Sequence, residues 1–145
     1  MVRFIGRFEH SLDPKGRVIL PAKFRSAFER GAVVAQHHEG CLAVWDPATF
    51  EARAQEMERL EEEGPESRNL ARVWASGSHE AEVDRQGRLA IPAHLREYAG
   101  LEGEVLVTGA INRVELWNPQ RWEQQVRPAE RRLTGEEDQA GATTT

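Results

Sequence analysis

One unit written twice constrains this chain more than any other feature. Asp13-Pro14-Lys15-Gly16-Arg17, followed by Val18-Ile19-Leu20-Pro21-Ala22, returns seventy-one positions later as Asp84-Arg85-Gln86-Gly87-Arg88 and Leu89-Ala90-Ile91-Pro92-Ala93. Each copy sets a tight-turn signal, with a Gly free to take positive φ, ahead of a short apolar strand. A Pro suited to the first turn of a helix comes next. Phe24, Ala27 and Phe28 then share a helical face that Gly31 ends; Leu95, Tyr98 and Ala99 share another, closed by Gly100-Leu101 in Schellman fashion. Ahead of the first turn, Phe4, Gly6, Phe8, His10 and Leu12 fall on one parity of a strand-like alternation.

The halves match again at an offset of seventy-two. Leu42-Ala43-Val44-Trp45-Asp46-Pro47 answers Val114-Glu115-Leu116-Trp117-Asn118-Pro119, and Phe50 answers Trp122. Asp46 and Asn118 are good N-caps with Pro at the first helical position after each. Two copies predict one α+β, β-rich domain with an internal pseudo-twofold axis, since a solenoid needs at least three repeats. The expected organisation is repeat 1 over residues 4–50, an acidic helical linker over 51–77 and repeat 2 over 78–123. In the linker region helices are expected over 46–63 and 67–75, the second turning Leu70, Val73 and Trp74 inward, as an αα-hairpin. The polar composition after Val126 predicts a disordered tail over 127–145.

Charge decides which functions are worth considering. The chain of 145 residues carries a net charge of −5, which argues against an overall basic nucleic-acid binder. That charge is unevenly spread. Residues 1–25 hold Arg3, Arg7, Lys15, Arg17, Lys23 and Arg25 against Glu9 and Asp13, whereas residues 46–63 hold seven acids against Arg53 and Arg59. Lys15 and Arg17 flank the turn glycine, where flexible cations can reach phosphates or base edges. The six cations of the N-terminal stretch, with Arg88 of the second turn, are therefore the candidate DNA-binding residues. Asp13, Gly16, Asp84 and Gly87 read as turn architecture, because an Asp opening a tight turn usually bonds its own backbone. The alternative for the cations is a solvated surface.

Enzymatic and metal chemistry find no foothold in the pattern. His10, His37, His38, His79 and His94 make no zinc spacing, and on a strand His37 and His38 would point to opposite faces. Cys41, the single cysteine, has no reactive-thiol signature, and no nucleophile elbow, P-loop or dinucleotide fingerprint occurs. The expectation is no catalytic residue, no metal, no cofactor and no small-molecule substrate. No apolar run approaches the roughly 20 residues of a membrane span, and charge and Gly interrupt the N-terminus too early for a signal peptide. A cytoplasmic protein is expected.

The two D-x-x-G-R motifs with their strand and Pro-Ala continuations closely resemble the MraZ family, as do Gly100-Leu101 and the run from Val105-Leu106-Val107-Thr108-Gly109 to Val114-Glu115-Leu116-Trp117. The likeness covers residues 4–123. Single copies of the unit are similar to the swapped-hairpin AbrB-like domains of transition-state regulators and antitoxins. The resemblance implies a double-split AbrB-like barrel built from both halves of one chain. It further implies a nucleoid-associated transcriptional regulator, a repressor of its own division and cell-wall operon, assembled as a ring-shaped homo-oligomer on repeated promoter sites. The family's DNA-contacting positions fall on Lys15 and Arg17. In the second motif Gln86 stands at the Lys position and only Arg88 persists, so the reading duty is expected in the first copy. The competing expectation is a protein-interaction module without DNA binding, motivated by the acidic linker.

Overall fold

In a computed structural model, which describes residues 3–135, eight strands and six α-helices follow the repeat. Repeat 1 contributes β1 (Arg7–Ser11), β2 (Arg17–Ile19), α1 (Ala22–Arg25) with a 3-10 turn at Ser26–Phe28, β3 (Ala32–Gln36) and β4 (Leu42–Trp45). Two helices follow, α2 (Pro47–Leu60) and α3 (Pro65–Gly77). Repeat 2 supplies β5 (His79–Ala81), β6 (Arg88–Ala90), α4 (Ala93–Ala99), β7 (Glu104–Gly109), β8 (Val114–Trp117), α5 (Pro119–Gln125) and then α6 (Arg127–Thr134).

All pairings are antiparallel, and the repeats exchange strands. The large sheet runs β1-β7-β8-β4-β3-β5, so the first strand of each repeat lies against the hairpin of the other; β2 and β6 pair separately as a ribbon. Val18 faces Leu89 across the ribbon, and Ala43 faces Glu115 across β4 and β8. In both cases repeat-equivalent positions face each other, so the pseudo-twofold axis passes through both pairs. The class is α+β with a mainly antiparallel sheet. The barrel implied by family resemblance is not closed by these pairings, because β1 and β5 remain the two edges of the six-stranded sheet.

Alternation along the strands builds two apolar layers. One face carries Val34, Leu42, Val44, Val105, Val107, Val114 and Leu116, which pack against Val18, Leu20, Leu89 and Ile91 of the ribbon segments and Phe24, Phe28 and Leu95 of the helices. The other face splits into two clusters. Val33, Ala35, Ala43 and Trp45 lie under Phe50 of α2, whereas Cys41, Leu106 and Trp117 lie under Trp122 and Val126. The two caps position these covers: Asp46 Oδ2 accepts from Thr49 N at 3.2 Å, and Asn118 Oδ1 accepts from Gln120 N at 2.8 Å and Arg121 N at 3.1 Å.

Two sequence expectations need correction. Residues 127–134 are not a disordered tail but the helix α6, which Val126 roots beside Trp122 and which Glu130 ties to Arg7 at 3.6 Å. Residues 136–145 of that expected tail lie outside the described residues. In α3 the buried residue is Ala71, while Leu70 and Val73 stand 64% and 60% exposed. Trp74 stacks on Phe50 with ring centroids 4.9 Å apart, and seating that ring turns the Leu70–Val73 edge outward.

Candidate nucleic-acid interface

The two turns are superposable in their bonding. Asp13 Oδ1 accepts from Lys15 N (3.0 Å) and Arg17 N (2.9 Å), while Oδ2 accepts from Arg17 Nε (2.7 Å). Asp84 Oδ1 accepts from Gln86 N and Arg88 N (both 2.9 Å), and Oδ2 from Arg88 Nε (2.7 Å). Gly16 and Gly87 sit at φ 75° and 83°, the left-handed region that a Cβ penalises. Each aspartate thus closes its turn with one oxygen on backbone N–H groups and the other on a guanidinium. Both carboxyls are held below the ordinary aspartate value of 3.8, chiefly by the backbone N–H of Arg17 or Arg88 and less by the side chains of the same arginines.

The fold then puts the two turns at opposite ends of one ribbon. Arg17 pairs with Ala90 and Ile19 with Arg88, so these four side chains share the outward face while Val18 and Leu89 are fully buried. Ile19, at 42% exposure, stands between the arginines as an apolar contact surface. Backbone bonds lock each turn onto the opposite strand end: Leu20 N donates to Gly87 O at 2.8 Å, and Ile91 N donates to Gly16 O at 3.0 Å.

The other cations counted in the sequence scatter. Arg25 sits beside the second turn, its Nε donating to Leu20 O at 3.0 Å. Lys23 places its ammonium over Phe8 and Phe24, 4.9 and 5.6 Å from the ring centroids. Arg7 lies over Trp122 (5.9 Å) and pairs with Glu130, so it belongs to the α5–α6 side of the sheet. Arg3 is exposed beside the Phe4–Ile111 bridge.

Two residues of the ribbon surface escaped the sequence reading. Arg85 is exposed in the second turn at the position Pro14 holds in the first, and Arg96 is the repeat mate of Arg25. Adding the repeat offset of seventy-one to Pro14 and Arg25 would have found both. Each turn therefore carries two cations against one aspartate: Lys15 and Arg17 against Asp13, Arg85 and Arg88 against Asp84.

Elsewhere, the fold gathers His37, Cys41 and Glu115 with their ligand atoms within 4.8 Å of one another. The carboxylate is already engaged, accepting from Arg113 Nε and Nη2 at 2.9 and 2.8 Å and from Trp117 Nε1 at 3.0 Å. Burial pushes the Cys41 thiol up and the His37 imidazole down, which disfavours the thiolate as a ligand. The guanidinium occupies the place of a cation here, and the donor set does not fit a metal. His37 and His38 lie past the end of β3 and stack at 4.4 Å, so they do not project to opposite faces as strand residues would.

A sequence profile described as "MraZ protein, putative antitoxin-like" matches residues 3–73 and 75–142. The chain belongs to the MraZ family. It is 45% identical over 123 residues to a protein of Nocardioides sp., covering 83% of this chain and 84% of that one. A relative from Heliobacterium modesticaldum is 39% identical over 119 residues (82% and 83%), and one from Natranaerobius thermophilus 37% over 127 residues (88% and 89%). All three bear the name "Transcriptional regulator MraZ". Among the described residues no helix is long and apolar enough to cross a membrane.

Proposed function

We propose that this protein is a DNA-binding transcriptional regulator that reads DNA through the outward face of the β2–β6 ribbon. The supporting observation is that two cation-bearing turns, braced by identical Asp–Arg hydrogen bonding, flank one two-stranded ribbon. A two-stranded ribbon is one of the elements the major groove of B-DNA admits. On this reading Arg17 and Arg88 face base edges, Ile19 offers an apolar surface for a thymine methyl, and Lys15 and Arg85 reach phosphates. Both turns contribute, since the second recovers through Arg85 the charge that Gln86 omits. The related proteins' name supports the regulatory role.

The finer reading, carried by the family resemblance, is a nucleoid-associated repressor of its own division and cell-wall operon, bound to repeated promoter sites as a ring-shaped homo-oligomer. Repetition of a small basic ribbon is how an acidic chain could hold DNA, because linked weak contacts multiply. Footprinting of the purified protein on the DNA upstream of its own gene tests this. Protection at repeated sites that fades steeply with salt is the expected result; uniform cleavage at low salt would refute it.

A second reading has its own observation. The α2–α3 hairpin is acidic and leaves Leu70 and Val73 exposed at the rim of a groove with Trp74, Met57, Leu60 and Trp45. Exposed apolar edges of this kind serve assembly. An intact oligomer that ignores DNA at low salt would favour a pure interaction module, while Leu70→Glu yielding monomers without loss of fold would place the assembly contact on the hairpin.

A further inference from the structure

Arg25 and Arg96 hold matching places in the two repeats, and both reach across to the other repeat's turn. The Nε of each donates to the carbonyl five residues earlier, Arg25 to Leu20 O at 3.0 Å and Arg96 to Ile91 O at 2.9 Å. The same two residues, Leu20 and Ile91, donate their N–H groups to Gly87 O and Gly16 O. Each arginine therefore grips the residue that docks the opposite turn. The guanidinium then comes to rest against that turn's glycine. A Cβ built on Gly16 would lie 2.9 Å from Arg96 Nε and Cζ, and one on Gly87 would collide with Arg25 Nε.

The chemistry left over sets these arginines apart from Arg17 and Arg88 of the turns. Arg7, Arg17, Arg88 and Arg113 each sit within 4.0 Å of a carboxylate, whereas Arg25 and Arg96 have no ion pair among the described residues. With Nε committed, the two terminal nitrogens of each fork keep their N–H donors without a protein acceptor among those residues. Both side chains are half-buried, so their charge is held in place and partly shielded from water. A fixed, unpaired guanidinium fork matches a planar pair of oxyanion acceptors.

We propose that Arg25 and Arg96 are a matched pair of DNA-phosphate contacts, Arg96 beside the first turn and Arg25 beside the second. Their side chains are ordered before DNA arrives, so little rotamer freedom is lost on binding. Each grips the backbone of its own repeat while serving the turn of the other, which makes the ribbon a single binding unit rather than two. The inference rests on the DNA-binding reading above and adds a pair of sequence-independent contacts to it.

The decisive variant is Arg96→Gln in the full chain. The amide nitrogen of Gln falls at the distance from the backbone where Arg has Nε, so the bond to Ile91 O can persist while the fork is removed. Binding is measured by fluorescence anisotropy over a salt titration on two duplexes. One is the region immediately upstream of the protein's own reading frame, and the other is a scrambled duplex of the same length. Arg96→Gln is expected to weaken both by the same factor, roughly tenfold, and to make the log–log salt slope shallower by about 0.9 per bound protomer. Arg25→Gln should do the same, with the melting transition of each variant retained. Wild-type affinity and slope in Arg96→Gln overturns the proposal while leaving DNA binding intact. Loss confined to the upstream duplex, with an unchanged slope, also overturns it and makes Arg96 a strut for the first turn. A wild-type protein that binds neither duplex overturns the DNA-binding reading, and this proposal falls with it.

Discussion

The first and second turns share a backbone and differ in what they display. Hydrogen bonds to Asp13 and Asp84 agree to within 0.1 Å, down to the 2.7 Å contact with Arg17 or Arg88. Yet Pro14-Lys15 in one is Arg85-Gln86 in the other. The aspartate, glycine and arginine set the shape, and shape tolerated no drift because each turn docks on the strand of the other repeat. The side chains at the two intervening positions are exposed, and only the backbone N–H of the second one serves the turn, so the cation could move by one residue without touching the fold. The comparison separates what the ribbon needs to exist from what the proposed DNA contact asks of it.

The strongest way to break the equivalence is through the glycines. A Cβ at Gly87 collides with Arg25 Nε, and one at Gly16 meets Arg96 less severely at 2.9 Å, both at positive φ. Gly87→Ala should cost about 2–4 kcal/mol, combining left-handed strain with displacement of the Arg25 bond to Leu20 O, and Gly16→Ala about 1–2 kcal/mol. Chemical denaturation of both variants gives the order; Gly16→Ala as the more damaging change would contradict the packing. Next come the arginines on the outward face. Arg17→Ala and Arg88→Ala should each remove about 1–3 kcal/mol of specific binding per protomer. Full specific binding by Arg88→Ala would confine reading to the first turn.

A smaller effect tests the displaced cation. Lys15→Ala and Arg85→Ala should weaken binding to any duplex equally, each making the salt slope shallower by about 0.9 per protomer, with base preference preserved. A slope that moves for Lys15→Ala alone would mean that Arg85 does not stand in for it.

Much of this was legible in the chain, and the gaps have physical causes. Periodicity and capping residues located the repeat strands and the helix starts at Pro47 and Pro119, because those signals are local. The strand exchange is non-local: nothing in Arg7–Ser11 says that its partner is Glu104–Gly109 and not its own hairpin. The α6 helix was missed because its polar sequence gains its anchor from Val126 and from Arg7, which lies far away in the chain. In α3, counting apolar residues favoured Leu70 and Val73, but one aromatic stack between Trp74 and Phe50 decided the helix's rotation. The candidate site was half visible. Charge clustering pointed to Lys15 and Arg17, which the fold sets at one end of the ribbon, but it also counted Arg7, which lies on the far side of the sheet, and it did not single out Arg85 and Arg96, which lie beside the turns.

The smallest expected effect concerns pH, and it is where the two turns should be hardest to tell apart. Asp13 and Asp84 both titrate below 3.8 in the folded chain, chiefly because the backbone N–H of Arg17 or Arg88 donates to the ionised form. A depressed folded value means that the unfolded chain binds the proton first. The stability these carboxylates contribute is therefore fully present above the ordinary value and is lost as pH falls through the folded one. Both turns are solvent-accessible, so the loss is modest and confined to the acid limb. Asp13→Asn and Asp84→Asn should each flatten that limb of the stability–pH curve by the same amount and leave its shape near neutrality unchanged. A larger change for Asp13 than for Asp84, read by urea denaturation across the acid range, would show that the first turn depends on its carboxylate in a way the shared geometry does not contain.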